Sequence, residues 1–210
     1  MDFGAMRHVN TAAAGVDLSP IQPDEVPPNC YFEVDDVERT WTWTRPFDFI
    51  FIRHGNSCFS SWEDLLRKAY DHLEPGGYIE LQDNAFPIAA VDDSLDGTAV
   101  ARWSSLLLQG TEAIGRSARA PASFARMLRD AGFEDVVERR EYWPLTPWVR
   151  DRRLHDRAGW VNAACLDGLE ASCLAIFTRV LGWAREDVLA FCDEVRRDLK
   201  DTRIHAYFDV

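Results

Sequence analysis

Residues 47–82 spell out a strand, a helix and a second strand, and that run limits the chain to an α/β architecture. Phe47-Asp48-Phe49-Ile50-Phe51-Ile52 is dense in aromatic and β-branched residues, which predicts a strand. Ser61 then offers an N-cap oxygen, with Asp64 three residues on, close to a capping box. Trp62, Leu65, Leu66, Ala69, Tyr70 and Leu73 recur at helical spacing. Pro75-Gly76-Gly77 predicts the stop of that helix and a turn. Tyr78-Ile79-Glu80-Leu81-Gln82 follows as a strand. Two strands joined through a helix run parallel in one sheet.

The rest of the chain extends that pattern. Residues 1–14 read as the remains of a helix and a loop, and residues 12–17 as a short buried strand. Pro20, Pro23, Pro27 and Pro28 make residues 20–29 a loop. Residues 31–34 predict a strand, ended by Asp35 and Asp36. A polar loop over 91–98 leads to helical sequence over 99–114. Phe124, Met127, Leu128 and Ala131 share one face of a further helix, with Gly132 as its C-cap. Residues 136–142 read as a strand, after which Pro144 and Pro147 break regular structure. The last third reads as mostly helical, over 169–181 and again where Val188, Phe191, Cys192, Val195 and Leu199 line one face. Residues 204–208 begin a final strand that stops before completing one.

Composition sets the outer bounds. With 210 residues, 47% of them hydrophobic, the expectation is a single domain over 1–210. Within it, 1–90 is the cofactor-binding half and 91–210 the helical, substrate-side half. A formal net charge of -12 argues against gripping nucleic-acid phosphates or anionic membranes. Cys30, Cys58, Cys165, Cys173 and Cys192 are odd in number and irregular in spacing, without a C-x-x-C pair. Reduced thiols are expected, with no disulfide framework and no metal site. No signal peptide is visible, and the longest apolar runs are too short to cross a bilayer. The expected location is intracellular, cytoplasmic or nuclear.

In open α/β sheets, ligands bind beyond the C-terminal ends of the strands. The strand ends deliver Asp17; then Asp35 and Asp36; then Arg53 and His54; then Gln82 and Asp83. An ionised carboxylate in this place accepts hydrogen bonds from both hydroxyls of a ribose. Each residue also has a plainer reading. Acidic residues after strands are frequent turn formers, Arg53 and His54 suit a surface loop, and Asp83 suits a loop cap. Four consecutive polar strand ends together form a cofactor rim.

The run Asp17-Leu18-Ser19-Pro20-Ile21-Gln22-Pro23, with Val26-Pro27-Pro28-Asn29 and Phe32-Glu33-Val34-Asp35-Asp36, resembles the fungal LaeA-like S-adenosylmethionine-dependent methyltransferases. So do Phe47-Asp48-Phe49-Ile50 with Arg53, and Leu73-Glu74-Pro75-Gly76-Gly77-Tyr78-Ile79-Glu80-Leu81-Gln82-Asp83. Phe177-Thr178-Arg179-Val180-Leu181-Gly182-Trp183 and Ile204-His205-Ala206-Tyr207 extend the resemblance over nearly the whole chain. It implies a Rossmann-like class I methyltransferase sheet with a helical C-terminal part, and S-adenosyl-L-methionine as cofactor. By it Asp17, beside Leu18, binds the ribose hydroxyls. Asp35 or Asp36 accepts from the adenine amino group near the Val37 backbone, and Arg53 sits beside the methionine end. The implied reaction is methyl transfer to a small metabolite or a protein, in secondary metabolism, with proximity as the enzyme's main contribution. A general base is optional, and His54, His155 and Tyr142 all qualify.

The pattern also departs from the family. Its glycine-rich loop is absent, and Met1-Asp2-Phe3-Gly4 resembles the helix that follows that loop. A sheet without its first, central strand leaves an unpaired edge, and the family's last strand reads as cut off after Phe208. These departures predict weak or undetectable cofactor binding. They support an alternative, a catalytically impaired methyltransferase-like interaction or regulatory subunit. A dehydrogenase-type nucleotide enzyme fits less well, because no G-x-G-x-x-G occurs. Trp148, Trp160, Phe177 and Trp183 in the helical third suit either substrate recognition or core packing.

Overall fold

The structure, a computed structural model, describes residues 12–23 and 25–210. The expected helix remnant at Met1 to Gly4 lies outside the described residues. The chain divides into two compact units, Met1–Arg45 and Pro46–Val210. The expected α/β class holds, with helices dominating the C-terminal part.

In the first unit, β1 (Ala13–Asp17) and β2 (Cys30–Val34) pair in parallel. The link between them, residues 18–29, has no helix among its described residues. Gly15 faces Phe32 across the pair. A Cβ on Gly15 would come within 2.3 Å of that ring, so the glycine is what lets Phe32 lie over the neighbouring strand.

The second unit opens with β3 (Phe47–Arg53), α1 (Trp62–Asp71) and β4 (Leu73–Gln82). β3 and β4 are parallel, as the crossover predicts. The Ser61 hydroxyl accepts the Asp64 N–H at 3.1 Å, as the sequence also predicts. Pro75-Gly76-Gly77 behaves differently from expectation. The helix ends earlier, at Asp71, and the three residues lie inside β4. Phe47 pairs with Leu73 and Phe49 with Tyr78, so residues 74–77 bulge out opposite Asp48. Gly76 supplies the positive φ of 84° that this bulge requires. Along β3, Phe49 and Phe51 stack at 6.3 Å on a face that stays exposed.

A separate three-stranded antiparallel sheet has the order β5-β7-β6, from β5 (Ala85–Ala90), β6 (Tyr142–Pro144) and β7 (Ala206–Asp209). β5 has no counterpart in the sequence reading. The strand expected over 136–142 is found only from Tyr142 onward, overlapping the expectation at that residue, and is three residues long. Ahead of it, Arg140 pairs with Glu138 at 2.8 Å and Glu141 with Arg139 and Arg157, while the Glu141 backbone still exchanges hydrogen bonds with Val210 at 2.6 and 3.0 Å. Pro144, expected to break structure, is the last residue of β6. β7 is short but pairs on both sides.

Four further helices complete this unit: α2 (Ala99–Ala113), α3 (Phe124–Ala131), α4 (Arg152–Arg179) and α5 (Arg185–Asp198). Gly132 ends α3 with φ 106°, the C-cap predicted for it. The core forms where α2, α4 and α5 meet, around Trp103, Leu169, Phe177, Val188 and Val195. Of the four C-terminal aromatics, Phe177 is core, whereas Trp160 is 81% exposed. Asp198, at the end of α5, accepts the Ala99 and Val100 N–H groups at 2.6 and 3.3 Å and so caps α2. Asn162 on α4 donates to the carbonyls of Leu145 and Leu199 at 2.7 and 2.6 Å. α4 is long and apolar enough to cross a membrane by length and composition alone. Here Ala158, Val161, Leu169, Cys173 and Phe177 on it are buried in the protein core. No disulfide joins the five cysteines, and burial pushes the Cys165 thiol up to about 11 and Cys173 to about 12.

Two surface carboxylates set an acid limit. Bonds from Ser94 and then His205 hold Asp92 down to about 2. Bonds from Arg203 hold Asp201 down to about 2. A folded-state value below the unfolded one stabilises above the unfolded value and is lost as pH falls through the folded value. The second unit is therefore expected to lose stability between about pH 4 and pH 2. Measured by urea midpoints across that range, Asp92→Asn with Asp201→Asn should flatten the slope; an unchanged slope refutes the assignment.

Candidate functional site

The ends of β1 and β2 bring two of the expected residues together. The Asp35 N–H donates to the Asp17 carbonyl at 3.1 Å, so both carboxylates leave the same end of the parallel pair. Asp17 Oδ1 accepts the Ser19 N–H at 2.9 Å, and Asp35 Oδ1 the Asp36 N–H at 2.7 Å. Each is an aspartate bonded to nearby backbone, which is why this residue type suits a strand end. In both, Oδ2 makes no hydrogen bond to the described residues. Asp36 differs. Its Oδ1 accepts the Glu38 N–H at 3.0 Å and its Oδ2 pairs with Arg39 at 3.4 Å, so both oxygens are engaged. The Val37 carbonyl accepts the Trp41 indole N–H at 2.9 Å. Leu18 is 72% exposed beside Asp17.

The second unit holds the other expected residues at the ends of β3 and β4. Arg53 pairs with Gln82 in register, and the His54 N–H donates to the Gln82 carbonyl at 3.1 Å. His54 has φ 54°, a left-handed conformation unusual for a residue with a side chain. The loop that follows is pinned by Asp83. Its carboxylate, 8% exposed, accepts the Asn56 N–H at 2.7 Å and the Asn84 N–H at 2.9 Å, with Gly55 as a further backbone donor. Burial raises the Asp83 pKa, against the opposing pull of those N–H groups and of His54. The Asn56 side chain donates to the Asn84 carbonyl at 2.8 Å and closes the clasp. The sequence offered Asp83 as a rim residue or a loop cap. The structure makes it a clasp between two strand ends.

A cavity of about 610 Å³ opens within the second unit. Arg53, His54 and Gln82 line it, as do Phe124 and Leu128 of α3. The segment 136–141, Trp143 and Asp209 close its other side. Among the three candidate bases, His54 alone lines this cavity. His155 lies exposed in the first turn of α4, and Tyr142 packs edge-on against Tyr207 at 4.9 Å. A second hollow of about 630 Å³, along Thr98, Asp198 and Arg203, contains none of the expected residues. Among the described residues, no three His, Cys, Asp or Glu side chains converge as a metal site. Asp209 escaped the sequence reading, because nothing local to it signals the cavity. Asp83-Asn84, after a strand and opposite Gly55-Asn56, carried a usable signal.

Against known proteins, the family described as methyltransferase domain matches residues 3–138. The chain is 36% identical over 196 residues to "Methyltransferase pytC" of Aspergillus terreus, covering 93% of this chain and 60% of that protein. It is 34% identical over 206 residues to "Secondary metabolism regulator laeA" of Aspergillus fumigatus, covering 97% of this chain and 55% of that protein. "Protein-methionine methyltransferase laeA" of Emericella nidulans gives the same identity and coverage. The chain therefore spans between 55% and 60% of the length of these curated relatives.

Proposed function

The chain belongs to the methyltransferase-domain family and is LaeA-like across nearly all its length, and on that premise we propose that it serves S-adenosyl-L-methionine-dependent methyl transfer in fungal secondary metabolism. The observation that carries this reading is the pair of adjacent carboxylates at Asp17 and Asp35, each keeping one oxygen in reserve. Two acceptors at neighbouring parallel strand ends, roughly 4.8 Å between strands, suit a ribose diol and an exocyclic amine. Asp17 takes the ribose hydroxyls and Asp35 the adenine amino group. Asp36, engaged with its own turn and Arg39, takes neither. Leu18 and the Val37 backbone flank the adenosine. The Arg53 guanidinium, exposed and without a hydrogen bond or ion pair to the described residues, is suited to a carboxylate. When bound, the cofactor supplies an electrophilic methyl group on a sulfonium that departs as a neutral thioether. His54, which lines the cavity, is the candidate base this reading favours.

Saturation-transfer NMR with S-adenosylmethionine reads even millimolar binding. Adenosine signals are expected with the wild-type chain. Asp17→Ala and Asp35→Ala remove charge-assisted bonds, about 1.5–3 kcal/mol each, and should weaken binding at least tenfold. Asp36→Ala should leave it within twofold. Equal signals in all four proteins, or none in the wild type, overturn the reading. A second reading, an interaction or regulatory subunit, draws on the exposed aromatic face of Phe49, Phe51 and Tyr78. It gains if adenosine signals are absent.

A further inference from the structure

We propose that the cavity in the second unit is a small-molecule pocket, taking a compound with an apolar body and a hydroxyl donor that anchors on Asp209. The proposal rests on the methyltransferase reading only in naming this compound as the methyl acceptor.

Three observations carry it. The first is size. About 610 Å³ falls within the range of pockets that enclose a small organic ligand, roughly 300–1,000 Å³. The second is the division of the lining. Phe124 and Leu128 of α3, with Val137 and Trp143 across from them, give an apolar body something to cover. The polar groups gather at the strand ends, where Arg53, His54 and Gln82 stand. The third is Asp209. Its Oδ1 is buried and has no hydrogen-bond partner. Its Oδ2 has one long contact, 3.5 Å to Arg140. An ionised carboxylate can accept about four hydrogen bonds, and a buried one left short costs free energy. The side chain is 32% exposed. A small rotation about χ2, a soft torsion, brings an unfilled oxygen to the cavity.

Of the other cavity charges only Arg140 reaches Asp209, at 3.5 Å, and its closer partner is Glu138 at 2.8 Å. Arg139 and Arg157 pair with Glu141, and Arg140 pairs with Glu138. A ligand without a donor leaves Asp209 Oδ1 unfilled. A ligand carrying a hydroxyl donor supplies the missing bond. A cavity of this size with one unfilled acceptor favours a small molecule over a folded protein surface.

The test uses 2-naphthol as probe, with 2-methoxynaphthalene, the same apolar body without the donor, as control. Amide chemical shifts are followed by NMR on the intact chain. 2-Naphthol should move the amides of Gln82, Leu128 and Val137 and bind at least tenfold more tightly than the control. Asp209→Asn, which keeps shape but brings its own donor, should cut that preference to below threefold. Leu128→Trp, which fills the cavity, should abolish the shifts. If this variant fails to fold, the Asp209→Asn result decides alone, with an unchanged unfolding midpoint as its control. No binding at 1 mM (~4 kcal/mol or weaker) overturns the pocket. Binding that Asp209→Asn leaves unchanged overturns the anchor. Adenosine signals with no 2-naphthol binding sink this proposal and leave the methyltransferase reading standing. The reverse pattern does the opposite.

Discussion

Phe177→Ala is expected to lower the stability of the second unit by about 3–5 kcal/mol, the range for deleting a buried aromatic. Phe177 is fully buried. Its ring lies 5.4 Å from Trp183 and 6.1 Å from Phe191, and those two rings are 5.6 Å apart. Removing it leaves a hole bordered by two large, stiff side chains that cannot both move in. Little relaxation means most of the cavity cost is retained. Arg102 stands over the Trp183 and Phe191 rings at 5.3 and 4.9 Å, so a loosened pair weakens that contact too. Domains hold only about 5–15 kcal/mol in total, so the loss is a large part of the whole. Urea unfolding should show a lower midpoint with an unchanged slope. Phe177→Leu, which keeps more of the volume, should cost less than half as much. A loss under 1 kcal/mol for the alanine variant would show that Phe177 is not the centre of this core.

The second large effect is expected at Asn162. Its one amide nitrogen donates to two backbone carbonyls, Leu145 after β6 and Leu199 after α5. A single side chain on α4 thus ties the ends of two other elements. Asn162→Ala leaves both carbonyls short of a donor, at about 1–3 kcal/mol each when water cannot replace it, so about 2–6 kcal/mol in sum. Asn162→Asp is the sharper comparison, because its shape is the same. Above its ionisation it would set a negative oxygen against two carbonyl oxygens and should cost more than alanine does. Below it, the protonated acid regains one donor, so the deficit should shrink on acidification. Stability curves for the two variants at pH 4 and pH 7 test this. An aspartate variant equal to wild type at pH 7 would exclude the tie.

What the sequence made legible follows from how local the information is. α1 was readable because Ser61, Asp64 and the spacing from Trp62 to Ala69 act within a few residues of one another. The end of α3 at Gly132 was readable for the same reason. β5 was not, because Ala85-Phe86-Pro87-Ile88-Ala89-Ala90 carries a proline and three alanines and is a strand only through pairing with β7. Pro75-Gly76-Gly77 was misplaced because a bulge and a turn use the same residues, and only Phe47 opposite Leu73 separates them. In the candidate site, Asp17 and Asp35 were legible as strand-end acids. That Asp36 is engaged by Glu38 and Arg39 was not, since three neighbouring carboxyl-bearing or basic residues permit several pairings. Asp83 was underread because its donor at Asn56 comes from 27 residues earlier.

β7 has a consequence for the order in which the chain assembles. It separates β5 from β6 in the sheet, and Ala90 and Pro144 both wait for residues 206 and 207 to find a ladder partner. As the chain leaves the ribosome, the β3-α1-β4 run can close on itself early, since its contacts are short in sequence. The antiparallel sheet cannot, because its middle strand is synthesised after both of its neighbours. Until then β5 and β6 emerge as bare edges, and closing the long loops to them is the slow, entropically costly step. The nascent protein is thus most exposed to mispairing just before residue 206 appears, and the strand that ends that interval is four residues long.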